Sequence, residues 1–122
     1  QVYEASEVRS AWAQELNRMF KTYDYLVLPT TQVFPFDVNQ HWPNSINGIS
    51  MDTYHRWMEV VIGGTLAGLP VLSIPAGFNK DGLPIGLQVI GRPNDDFGVL
   101  QLGYAWQQAT PFASIKPSLL SS

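Results

Sequence analysis

Near the start of the chain, apolar side chains recur every three or four residues: Val8, Trp12, Leu16, Met19, Phe20 and Tyr23. Arg9, Glu15, Arg18 and Lys21 fall on the opposite side. That spacing matches the helical turn and predicts an amphipathic helix over residues 5–22, with Ser6 as its cap. A continuous apolar run follows at residues 25–28 and reads as a short strand halted by Pro29. A second helical stripe, made of Tyr54, Trp57, Met58, Val61 and Ile62, predicts a helix over residues 53–67. Asp52 is placed to cap it and Gly68 to end it. Two more apolar runs, residues 71–74 and 85–90, each follow a Gly-Leu-Pro step, at Gly68-Leu69-Pro70 and Gly82-Leu83-Pro84. Glycine permits the left-handed backbone of a helix end or turn, and proline suits the first position of a strand, where no ladder N–H is needed. Between the runs, Asn79-Lys80-Asp81-Gly82 is a turn signal. A third helix is predicted over residues 95–109, with Phe97, Leu100 and Tyr104 on one side.

Helices alternating with short buried strands indicate an α/β fold. The expected architecture is a partial mixed sheet of about three short strands flanked by about three helices. It forms a single segment, 1–122, with residues 110–122 as a loosely packed tail. Residues 30–50 follow neither period. Pro35, Pro43 and the Asn47-Gly48 turn signal interrupt them, while Val33, Phe34, Phe36, Trp42 and Ile46 favour packing over disorder.

Composition sharpens this picture. Of 122 residues, 45% are hydrophobic and 14% charged, against about 25% charged in average globular sequences. Such a chain has elements buried on more than one side. A net charge of −3 with scattered basic residues argues against nucleic-acid and anionic-membrane partners. Without cysteine there is neither a disulfide framework nor a thiolate metal site. No charge occurs over residues 60–79, a length that could span a bilayer, but Pro70 and Pro75 would break such a helix twice. The first residues show no basic-then-apolar signal pattern, and a cytoplasmic location is expected.

Most reactive-looking groups have plain structural explanations. His41 and His55 lack the spacing of a metal pair, so no metal site is expected. Asp95 and Asp96 at a predicted helix start complement its dipole. The glycines of residues 63–68 close a helix instead of opening one after a strand, so no phosphate cradle is read there. No G-x-S-x-G nucleophile turn occurs.

Several segments, taken in order, carry a family resemblance. Tyr23-Asp24-Tyr25-Leu26-Val27-Leu28-Pro29-Thr30-Thr31 is similar to a YDxLLxPT strand, and Gly86-Leu87-Gln88-Val89-Ile90-Gly91-Arg92 to a GxQxIGR strand. The paired Gly-Leu-Pro steps lie between them, and Asn94-Asp95-Asp96 then opens the last helix. Over roughly residues 9–109 the chain resembles the C-terminal region of the amidase signature family, enzymes that hydrolyse carboxamide C–N bonds. That resemblance implies part of a larger α/β fold and no cofactor.

In the family, the reactive lysine and two serines lie upstream of the matched region. Lys21, Lys80 and Lys116 are the lysines here, and none precedes a Gly/Ser-rich tract. The chain alone is therefore expected to be inactive, while its parent would be an amidase acting on a small-molecule amide. Its share would be scaffold and one wall of the acyl pocket, with the rest of the amidase domain or a second copy as partner. By carry-over, the loop after the Pro-Thr step approaches the acyl side of the substrate, which marks Thr30, Thr31, Val33 and Phe34. The second helix packs near the same channel, which adds Trp57 and Ile62. Without a ligand, the threonines are explained by local backbone bonding, and the helix stripe is explained, as such stripes usually are, by core packing. Thr65 stands where the family often has Asn, so an amide's hydrogen bonds are missing there. Two alternatives stand beside this reading. One is a non-catalytic α/β module that dimerises or binds a partner or small ligand through its apolar face. The other is an inactive relative.

Overall fold

The structure, a computed structural model, describes residues 1–116. The first helix, α1 (Val2–Met19), starts ahead of its predicted cap, so Ser6 lies inside it and no side chain caps its first turn. Only its C-terminal half finds a core: Leu16 and Phe20 are buried against Ile90, whereas the first ten residues are all exposed. A sharp turn leads to β1 (Leu26–Pro29), the first strand of the main sheet.

Three strands form that sheet in the order β1-β5-β4, with β4 spanning Val71–Phe78 and β5 spanning Pro84–Ile90. Every pairing among the described residues is antiparallel, so the fold class is α/β as expected and this segment's own share of the sheet is antiparallel. The reason is local. The β4–β5 turn is closed by Asn79, whose Oδ1 accepts from the backbone N–H groups of Asp81 and Leu83 at 2.9 and 2.8 Å. So short a connection permits only an antiparallel pair. A bulge between Pro75 and Gly77 interrupts the β4 register, at a proline that has no ladder N–H to give.

Strand alternation gives the sheet two occupied faces. On one, Leu26, Leu28 and Ile90 meet Leu16 and Phe20 of α1. On the other, Leu72, Ile74, Leu87 and Val89 meet Val99, Leu102 and Trp106 of the last helix, α4 (Asp96–Ala109). Asp95 caps α4 by accepting from Gly98 N–H at 3.0 Å. The apolar stripe read from the sequence points outward: Phe97, Leu100 and Tyr104 are 71%, 59% and 66% exposed. The face against the sheet includes Gly103, which carries no hydropathy signal.

The single helix predicted over residues 53–67 is broken in two. A one-turn α2 (Tyr54–Trp57) passes through a 3₁₀ turn (Glu59–Val61) into α3 (Ile62–Ala67). Thr53 caps α2 in place of Asp52, accepting from Arg56 N–H at 3.3 Å, while the Asp52 carboxylate lies 3.5 Å from the Arg56 guanidinium. Gly68 ends α3 with φ 71° and ψ 31°, the left-handed conformation anticipated for it. Ahead of α2, β2 (Ser45–Ile46) and β3 (Ile49–Ser50) pair around Asn47-Gly48, both at positive φ. Past α4, the Phe112 ring lies beside Gly77. The remainder of the predicted tail, residues 117–122, lies outside the described residues. No described helix is long and apolar enough to cross a membrane.

Candidate functional site

The end of β1 and the broken helix face each other across β5, and two glutamine amides set their separation. Gln88, on β5 and 3% exposed, donates from Nε2 to the carbonyls of Pro29 and Val60, each at 2.8 Å. Gln32, just past β1, donates from Nε2 to the carbonyls of Arg56 and Trp57 at 3.1 and 2.6 Å. These carbonyls accept from side chains at the break between α2 and α3, where the continuous α-helical ladder stops. A buried amide in an apolar strand needs such partners.

Beyond the Gln88 bridge the sheet surface opens. Thr30 continues the ladder, its N–H donating to the Gly86 carbonyl at 3.0 Å. A Cβ on Gly86 would stand 2.8 Å from Thr30 Oγ1 and 3.1 Å from the Ile74 carbonyl, so glycine keeps this floor flat. The result is a groove of about 530 Å³, within the range of small-molecule sites. Ser73, Pro75, Pro84 and Gly86 of β4 and β5 form part of its lining, residues 30, 31 and 33–36 another part, and Trp57 of α2 a third. No Asp, Glu, Lys, Arg or His is among the lining residues.

The aromatic wall is held edge to face. Trp57 meets Phe36 at 5.7 Å between centroids and 86°, and Tyr54 at 6.0 Å and 81°, while Tyr54 in turn meets Trp42 at 6.3 Å and 78°. This is the preferred geometry for aromatic pairs. The Trp57 indole N–H is buried there with no hydrogen-bond partner among the described residues.

Thr30, Thr31, Val33, Phe34 and Trp57 thus line one cavity. Ile62 does not; it borders a separate hollow of about 380 Å³ with Arg9, Val61, Thr65 and Leu66. The two threonines differ. The Thr31 hydroxyl donates to the Val33 carbonyl at 2.5 Å, a local turn bond, whereas the Thr30 hydroxyl makes none among the described residues. His41 and His55 stand beside Trp42 and Tyr54, and no three His, Asp or Glu groups converge among the described residues. Sequence reasoning missed Gln32, Ser73 and Pro75. It quoted Gln88 for its motif and overlooked the signal that mattered, a lone polar residue within the apolar run of residues 85–90.

Residues 2–100 match the profile of the family described as Amidase. Over 115 residues the chain is 36% identical to a glutamyl-tRNA(Gln) amidotransferase subunit of Thermodesulfovibrio yellowstonii, covering 94% of this chain and 22% of that protein. A bacterial aryl acylamidase of the amidase signature family superposes with a TM-score of 0.77 at 29% identity, over 87% of this chain and 22% of that one. The corresponding amidotransferase subunit of Thermotoga maritima superposes with a TM-score of 0.64 at 34% identity, over 79% of this chain and 20% of that one. The chain thus spans about a fifth of the length of the curated relatives it matches. It belongs to the amidase family, the amidase signature enzymes.

Proposed function

We propose that this chain is the C-terminal part of an amidase, in which it supplies scaffold and the acyl-side wall of the substrate pocket. In the intact enzyme, a serine outside these 122 residues attacks the amide carbonyl carbon. The C–N bond breaks, the amine or ammonia leaves with a proton, and water hydrolyses the acyl ester. The chain by itself is inactive on this reading. Thr30, Thr31, Val33, Phe34 and Trp57 shape the acyl site, and Ile62 supports it from the adjoining helix.

One observation carries the reading: a flat-floored, aromatic-walled groove without a charged side chain lies just past β1. Such a lining fits a neutral apolar or aryl acyl group. It fits a glutamyl group poorly, because that group brings an ammonium and a carboxylate which an uncharged wall leaves unpaired.

Two exposed apolar surfaces, Val2, Tyr3 and Val8 on α1 and Phe97, Leu100 and Tyr104 on α4, support a covering partner. The rest of an amidase domain is the partner we favour, and a second copy of this chain is the alternative. The test is ammonia or amine release by the intact enzyme with Phe34→Ala. Selectivity for aryl over short alkyl amides should fall about tenfold, the scale of a lost apolar contact in a pocket. Unchanged selectivity would remove the groove from the substrate path.

A further inference from the structure

The chain has four tryptophans, and they treat their indole N–H groups differently. Trp12 donates to the Gly63 carbonyl at 2.9 Å, Trp42 to Met51 at 2.9 Å and Trp106 to Pro75 at 2.7 Å. Each of these is tied to backbone and positions an element. Trp57, the tryptophan in the groove wall, has no acceptor among the described residues, and its N–H is closed off from water. Buried donors are almost always paired, so an orphan beside a cavity calls for a ligand or another specific cause.

Resting on the groove reading above, we propose that Trp57 is a specificity-determining residue. Its indole N–H donates to a neutral hydrogen-bond acceptor carried by the acyl group, such as a carbonyl, an ether oxygen or a ring nitrogen. Three features of the wall support this. None of the residues that line the groove is charged, so a neutral acceptor suits this wall better than an ionic one. The Trp57 carbonyl is fixed by Gln32 at 2.6 Å, so the ring's base is anchored. Phe36, edge-on against Trp57 and 38% exposed, lines the same groove and is the aromatic neighbour a ligand would have to displace. A ligand that turns Phe36 aside replaces one aromatic neighbour with another and gains the bond that the free protein lacks. The substrate class narrows accordingly. It is an apolar amide with a second, uncharged acceptor besides the scissile carbonyl.

The experiment is a titration of the ¹⁵N-labelled intact enzyme, following the indole N–H resonances of the four tryptophans of this segment. The probes are acetophenone and cumene, which share a shape and differ in the carbonyl oxygen. Acetophenone should move the Trp57 indole proton downfield and leave the other three in place. It should also bind about tenfold more tightly than cumene, as expected when only one ligand pairs a buried donor. Trp57→Phe should erase that difference. If both probes bind equally and shift Thr30 and Phe34 amides without moving the Trp57 indole, the donor role is overturned while the groove reading stands. If neither probe shifts any groove resonance, both fall. The titration of the unsubstituted enzyme decides the matter even where Trp57→Phe does not fold.

Discussion

The β4–β5 hairpin and the segment of residues 31–53 hold their backbones by opposite means. In the hairpin, main chain bonds main chain along seven paired positions, and side chains are free to alternate between the two cores. In the segment, side chains do much of the holding. Trp42 donates to the Met51 carbonyl, Gln40 to Trp42 and Gln32 to α2, and edge-to-face rings fill the gaps. The first arrangement tolerates side-chain variation wherever the face stays apolar. The second depends on particular groups at particular places, and it is the one that builds the groove wall. The groove wall therefore sits where the fold is least generic.

That contrast can be broken from the hairpin side first. Ile90→Ala removes a 1% exposed side chain from the core shared with α1, and urea unfolding should show a loss of about 3–4 kcal/mol. A loss below about 1 kcal/mol would mean that the sheet is not the stabilising unit. Gln32→Leu should act more locally. It removes the donor shared by the Arg56 and Trp57 carbonyls, for about 1–2 kcal/mol. Amide exchange should rise at residues 54–58 and stay unchanged in β4 and β5. Uniform loss across both regions would erase the contrast. The smallest effect belongs to a contact that looks strong: Arg92 and Asp24 meet at 2.7 Å but are 47% and 75% exposed. Asp24→Asn should cost about 0.5 kcal/mol or less, and salt should abolish the difference.

The same division explains what could be read in advance. Gly68, the two Gly-Leu-Pro steps and the strands that follow them were legible because glycine and proline act on their own backbone. The helix over residues 53–67 was misjudged because its break depends on amides from Gln32 and Gln88, which are 24 or more positions away in sequence. The face of α4 was misjudged for another reason. Close approach to the sheet selects Gly103, where a Cβ would sit 2.4 Å from Leu72, so the packed side is the one with least hydropathy. For the groove, the Pro-Thr step and the neighbouring family carry-over marked five lining residues. Ser73 and Pro75 escaped notice because alternation along β4 does not tell which face is left uncovered.

Pro75 joins two parts of the molecule that otherwise lie on opposite sides of the sheet. Its ring borders the groove, while its carbonyl, at the bulge, accepts from Trp106 of α4 at 2.7 Å. A partner settling on Phe97, Leu100 and Tyr104 would bear on the same helix whose Trp106 indole holds the Pro75 carbonyl beside the groove. Assembly and selectivity would then share a fulcrum.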